Sequence, residues 1–236
     1  MRTLGFQPYR IEQIDPLAES AIPPRFDEAE RDTFAQTLAS RPVWYVHALP
    51  EEELDMVIAA IHVARRSALR LVVILDMVAD ADRDRAAQKL KDTGLLVQSR
   101  DVEGEPDELT QIFLTDIDDE SGLWYRIASV CYLGGTFSDG AVSNPLIAAS
   151  MGCAIVHGPK TETQQSTFAR LLRAGASRKI HSKSDMGPTI AQVLAPDENA
   201  LLAHAGWEVV SQGAEATDRI VAYLAERLDL HAKGDT

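Results

Sequence analysis

The sequence is short of cysteine, of cations and of unbroken apolar runs, and each shortage excludes something. Its two cysteines, Cys131 and Cys153, both lie in apolar runs. That excludes a disulfide framework and reads as buried, reduced thiols. Lys and Arg number 23 against 36 Asp and Glu, a formal net charge of −13, so a broad nucleic-acid-binding surface is excluded. No stretch approaches the roughly 18 continuous apolar residues of a membrane span. The N-terminus, "MRTLGFQPYRIEQ", lacks the apolar core of a signal peptide. The expected location is the cytoplasm, unless a partner carries the chain to a membrane. The chain also has no internal repeat and no low-complexity segment.

What remains is the balance of a soluble globular protein, 45% hydrophobic and 25% charged over 236 residues, long enough for one large or two small domains. Residues 5–26 carry Pro8, Pro16, Pro23 and Pro24 and read as an extended connector. Residues 27–40 follow with Ala29, Phe34, Ala35 and Leu38 at helical spacing. The expected division is a connector and linker helix over 1–40 and one domain over 41–236. Met1 is compatible with a start inside a longer protein.

From residue 41 onward apolar strands alternate with amphipathic helices. Six strands are expected, at 43–48, 70–76, 95–99, 112–116, 130–135 and 153–158. The helix over 51–67 has Leu54, Val57, Ile58 and Ile61 as its buried stripe, and the helix over 80–93 ends at Gly94. Helices are expected again near 164–174, 185–194, 197–211 and 214–230. Strands apolar on both faces and separated by helices imply an α/β fold, a Rossmann-like doubly wound parallel sheet with a helical C-terminal extension. Ligands in such folds sit beyond the carboxyl ends of the strands.

The stretch "GGTFSDGAVSNPLIAAS", 134–150, lies at such an end. Asn144 suits a helix N-cap and Pro145 the first helical position. The N–H groups of the loop and helix start could hold a phosphate, or the segment is an ordinary capped connection. "GPKTETQQS", 158–166, is a second loop of this kind, offering Thr161, Thr163 and Gln164 to a ligand or simply capping a helix. "LPEEE", 49–53, puts three acids in a first helical turn, which suits the helix dipole. Asp80, Asp82 and Asp84 mimic the start of a calcium loop, but Arg85 and Lys91 break the pattern. His47 and His157 end strands without completing a triad or a metal set. Arg170, Arg173, Arg178, Lys179 and Lys183 form a modest basic cluster that reads as a solvated face, or a contact for an anionic lipid or substrate.

With these residues in view, the chain resembles the C-terminal, donor-binding domain of the 3-deoxy-D-manno-octulosonic acid (Kdo) transferases, GT-B glycosyltransferases of lipopolysaccharide synthesis. The likeness runs from about Arg41 to about Ile180. It is carried by "RPVW" (41–44), "EEELDMVIAA" (51–60), "GLWYRIASVCYLGGTF" (122–137), "NPLIAASMGCAIVHGPKT" (144–161) and "FARLLRAGA" (168–176). The resemblance implies a GT-B C-terminal domain that binds CMP-Kdo. It also implies a separate N-terminal domain that binds a lipid A precursor and supplies the catalytic carboxylate, in a reaction with no chelated metal and no further cofactor, with peripheral association at the inner face of the inner membrane. On that basis the donor-binding residues are Gly134, Gly135, Thr136, Ser143, Asn144, Thr161 and Thr163, with no catalytic residue in this chain.

The chain departs from the family pattern at the donor site. Ala141, Val142 and Ser143 stand where the pattern has Gly-Gly-His, and Ile147 stands where a glutamate grips the ribose. Asp76-Met77 stands where an Arg-His pair faces the donor's anionic groups. Each lost charged hydrogen bond costs roughly 1.5–3 kcal/mol. The expectation is therefore weak CMP-sugar binding, with Asp76 repelling phosphate. A degenerate, non-catalytic module is the competing reading.

Overall fold

The computed structural model describes residues 21–115 and 120–234. Of the expected proline-rich connector, residues 5–20 lie outside the described residues. Residues Ala21–Val209 form one compact unit, which carries the sheet, and Val210 opens the described part of a second.

The first helix, α1 (Glu28–Leu38), starts where Asp27 caps it, its carboxylate accepting from the Ala29 N–H at 2.8 Å and the Glu30 N–H at 3.0 Å. It ends at Ala39, which takes a left-handed φ of 46°. Its buried Phe34 meets the Trp124 ring edge-on, with centroids 5.1 Å apart.

Seven parallel strands follow among the described residues. They are β1 (Val43–Leu49), β2 (Val72–Met77), β3 (Val97–Ser99), β4 (Ile112–Thr115), β5 (Val130–Leu133), β6 (Ala154–His157) and β7 (Ser177–Lys179). Their order across the sheet is β3-β4-β2-β1-β5-β6-β7. The fold is the doubly wound parallel sheet that the alternation implies. One strand more is present than the six expected, because β7 ("SRK") is an edge strand with little apolar content to mark it.

The crossovers are helical: α2 (Leu54–Ala64), α3 (Asp80–Asp92), α4 (Arg100–Glu103), α5 (Ser121–Ile127), α6 (Pro145–Ser150) and α7 (Gln165–Arg173), and α8 (Met186–Val193) follows the last strand. A last helix, α9 (Pro196–Gly234), runs 39 residues without a break. The two helices expected at 197–211 and 214–230 are thus one. Gly213 costs a helix interior only about 1 kcal/mol, too little to end it.

Alternation along β1 divides the core. Trp44 and Val46 join Val57 and Ile61 of α2 and Ile190 of α8 on one face, all of them solvent-free. Tyr45 points to the other face, where it meets Tyr125 of α5 edge-on at 5.0 Å. Burial of each such side chain contributes about 1.5–3 kcal/mol.

Arg41, from the "RPVW" segment, gathers the opposite, amino edge of the sheet. Its guanidinium donates to the carbonyls of Arg70 at 3.0 Å, of Asp107 and Glu108 at 3.2 Å each, and of Thr110. This part of the resemblance marks a structural clamp, remote from the carboxyl edge where ligands sit.

Candidate functional site

The strand order reverses at β1, which has β2 on one side and β5 on the other. The crevice of a doubly wound sheet opens at such a reversal. Here it is bounded by the segment after β1, residues 50–53, and the loop after β5, residues 134–144. A cleft of about 440 Å³ lies between them, lined by Pro50, Glu52, Glu53, Ser138, Gly140 and Lys183 among others. A second, of about 300 Å³, lies on the far side of the 138–140 turn against Val142, Lys160, Glu162 and Thr163.

Two glycines let the loop come this close. Gly134 donates its N–H to the His47 carbonyl at 2.8 Å, and a Cβ there would overlap the Ala48 carbonyl oxygen. Gly135 follows with φ 77°, left-handed backbone that turns the chain back over α2.

The turn closes on Glu53. This side chain is 1% exposed, although it sits in a 3-10 turn (Glu51–Glu53) at the start of α2. Its Oε1 accepts from the N–H of Phe137, the N–H of Ser138 and the Ser138 hydroxyl, each at 2.8 Å. Its Oε2 accepts from the Tyr132 hydroxyl at 2.6 Å and the Gly135 N–H at 3.2 Å. Burial, then the adjoining Glu53 charge, raises the Tyr132 phenol above its ordinary value, so it stays a proton donor. The loop amides assigned to a phosphate are therefore engaged by a carboxylate of the chain itself. A dipole-matched first turn, the role that "LPEEE" suggests by its sequence, does not anticipate this contact. One signal in the sequence does point to it. Glu53 falls four residues before Val57 and eight before Ile61, in line with the buried stripe, where a carboxylate requires partners.

The seven residues assigned to the donor divide by what they already hold. The N–H groups of Gly134 and Gly135 are bonded to the His47 carbonyl and to Glu53. Thr136 is solvent-free, donating its hydroxyl to the Leu133 carbonyl at 2.8 Å and accepting from the Gly158 N–H at 2.8 Å, so it ties the end of β5 to the end of β6. Asn144 caps α6, its Oδ1 accepting from the Leu146 N–H at 3.0 Å. Ser143 is half-buried one residue before that cap, and Thr161 is half-buried before the short 3-10 turn Glu162–Gln164. Thr163 is exposed and lines the second cleft with Val142. The structure thus brings Thr163 beside the 138–142 loop, while the glycine end of the motif serves the scaffold. Ile147, in the first turn of α6, is half-buried.

Asp76 corrects one expectation. It lines neither cleft; it is solvent-free and turned under the carboxyl end of β1. It accepts from the Tyr45 hydroxyl and the Ala48 N–H, and lies 3.1 Å from Nδ1 of His47. Ala48 has a left-handed φ of 51° beside the irregularity in β1–β2 pairing, so Asp76 holds the chain where it leaves the sheet.

The remaining candidates are local. Arg178 pairs with Glu198, and Arg173 donates to the Ala169 carbonyl at 3.1 Å, so part of the basic cluster is spent within the fold. Asp82 pairs with Arg85. Among the described residues no group of three His, Cys, Asp or Glu side chains is placed to hold a metal, and no helix is long and apolar enough to cross a membrane.

His157 closes β6, 1% exposed, with its Nδ1–H donating to the Gly158 carbonyl at 2.7 Å and its ring 4.4 Å from that of Phe168. Burial, aided by the Lys179 charge, lowers its pKa from 6.5 to about 4, against the Gly158 hydrogen bond, which raises it. The unfolded histidine takes up a proton as the pH falls below 6.5 and the native one only near pH 4. Stability is therefore complete above pH 6.5 and is expected to fall by about 3 kcal/mol between there and pH 4. Denaturant titrations across that range should show the loss, and His157→Phe should flatten it.

No protein-family model matches the chain. A 3-deoxy-D-manno-octulosonic acid transferase of Haemophilus influenzae is 23% identical over 192 residues, which are 80% of this chain and 45% of the relative. This chain therefore spans less than half the length of that relative. Among solved structures, the C-terminal CMP-Kdo binding domain of WaaA from Acinetobacter baumannii superposes with a TM-score of 0.71 at 20% identity, covering 77% of this chain and 96% of that one. The C-terminal domain of the group 1 glycosyl transferase LpcC from Francisella tularensis gives 0.54 at 12% identity, covering 80% and 93%. The chain thus has a GT-B-like glycosyltransferase fold, related to that of the Kdo-transferase C-terminal domain.

Proposed function

We propose that this chain is the donor-side domain of a Kdo-transferase-like glycosyltransferase, which takes a CMP-sugar and serves transfer of Kdo to a lipid A precursor held by another domain. The observation that carries this reading is the cleft at the β1/β5 reversal, in a sheet whose likeness covers nearly the whole of a CMP-Kdo binding domain. The donor site is weakly armed. Ile147 offers the ribose no acceptor, and Glu53 holds the loop amides that a phosphate would use. A degenerate module without catalysis is the second reading, favoured by those same two features.

Calorimetric titration with CMP separates the two. The donor reading expects weak, saturable binding, tightened about tenfold by Ile147→Glu through one added charged hydrogen bond. The absence of binding by the parent and by the variant would leave the degenerate reading. Asp76→Arg, attractive from sequence alone, is a poor companion substitution because it would bury a cation against the Ala48 N–H and the Tyr45 hydroxyl.

Chemistry in this fold class takes place between two domains, and the described residues hold one doubly wound sheet. Residues 1–236 are expected to transfer no sugar from CMP-Kdo to a lipid A precursor by themselves. A product band in that assay would overturn the assignment of the catalytic base to a separate domain.

A further inference from the structure

The geometry points to an anion site in the 135–138 turn that is closed by the protein's own side chain: Glu53 occupies it in place of an oxyanion ligand, excludes phosphate from it, and would expose it if truncated. This inference concerns the same cleft as the donor reading but does not depend on it.

Successive N–H groups converging around a left-handed glycine form a concave nest that favours negative charge. Gly135, with φ 77°, supplies that glycine. The N–H groups of Gly135, Phe137 and Ser138 converge on one carboxylate, joined by the hydroxyls of Ser138 and Tyr132. All five are neutral donors, so a charge that is 1% exposed is balanced by oriented dipoles. A carboxylate offers about four lone-pair positions, so five donors saturate Glu53. The occupant shows that the nest takes an anion with two oxygens directed at the loop. Phosphate, or the carboxylate of an acidic sugar, presents the same pair.

Occupancy is also hard to reverse. Glu53 competes as part of the same chain, at an effective concentration in the millimolar range or above. Its backbone is fixed by the turn that leads into α2. A free ligand must displace all five hydrogen bonds together before it gains any. Lys183 already lines the cleft that Glu53 adjoins, so removing one carboxylate would leave a cation next to vacated N–H groups.

The test is a 1H–15N titration of the whole chain with inorganic phosphate, with chloride at matched ionic strength as the control. In the parent, the Gly135, Phe137 and Ser138 amides are expected not to respond. In Glu53→Ala the same three should shift saturably, with phosphate affinity at least tenfold above the parent's. The melting temperature of the variant alone should rise with phosphate. Phosphate shifts at those amides in the parent would overturn the proposal. So would a folded Glu53→Ala whose amides ignore phosphate. If Glu53→Ala is unfolded, refolding in phosphate but not in chloride supports the proposal, and failure to refold overturns it. CMP binding read at other amides, such as those of residues 161–163, bears on the donor function and leaves this inference standing.

Discussion

Replacing Asp76 by alanine is expected to destabilise the protein by about 4 kcal/mol. Two charge-assisted hydrogen bonds would be lost in a solvent-free position: the Ala48 N–H would lose its acceptor, and the Tyr45 hydroxyl would keep only His47 Nδ1, 2.9 Å away. Each buried group left unpaired costs about 1–3 kcal/mol. His47 Nδ1 would lose its carboxylate as well. Tyr45→Phe should cost less, about 1–2 kcal/mol, because the carboxylate would keep Ala48 and His47. Urea titration of both single variants and the double variant measures the coupling. If the two losses add independently, Asp76 and Tyr45 do not act as one unit, and Asp76 does not secure the end of β1 through that hydroxyl.

Gly134→Ala should be comparably damaging, at about 4 kcal/mol, beyond the usual range for overpacking because nothing flexible can give way. The added Cβ would overlap the Ala48 carbonyl oxygen and crowd the His47 carbonyl, both main-chain atoms of β1. Relief requires β5 to move away from β1, which breaks the Gly134 N–H bond to His47. Gly140→Ala is the control, since a Cβ there would meet its neighbours only at 3.5 Å and beyond. Equal midpoints for the two variants would show that the loop accommodates the methyl group without moving the strand.

The sheet was legible in the sequence for a simple reason. Strands such as "VVIL" and "AIV" are buried on both faces, so they carry continuous apolar runs that no surface element would tolerate. β7 escaped because it has a neighbour on one side only, and its Arg178 and Lys179 reach solvent. The position of the site was legible too, since a glycine turn after a strand lies at the carboxyl edge in any doubly wound fold. Its chemistry was not. Glu53 and the loop it binds are separated by 82 to 85 positions, and only the assembled sheet puts the start of α2 against the end of β5. Asp76 misled for the opposite reason. Its place in the chain is right for a ligand contact, but its side chain points toward Tyr45 and not toward the crevice.

The Glu53 contact also bears on how this surface could be altered by substitution. Residue 53 and the 135–138 turn form one thermodynamic unit, so changes at the two places should be strongly non-additive. Rebuilding the loop motif at 141–143 would alter side chains beside the turn and leave its amides still bonded to the carboxylate. A lineage, or a designer, could reach a phosphate-binding loop here only by changing Glu53 first, in the turn that leads into α2. That order makes Glu53 an epistatic lock on the evolution of a segment more than eighty residues away.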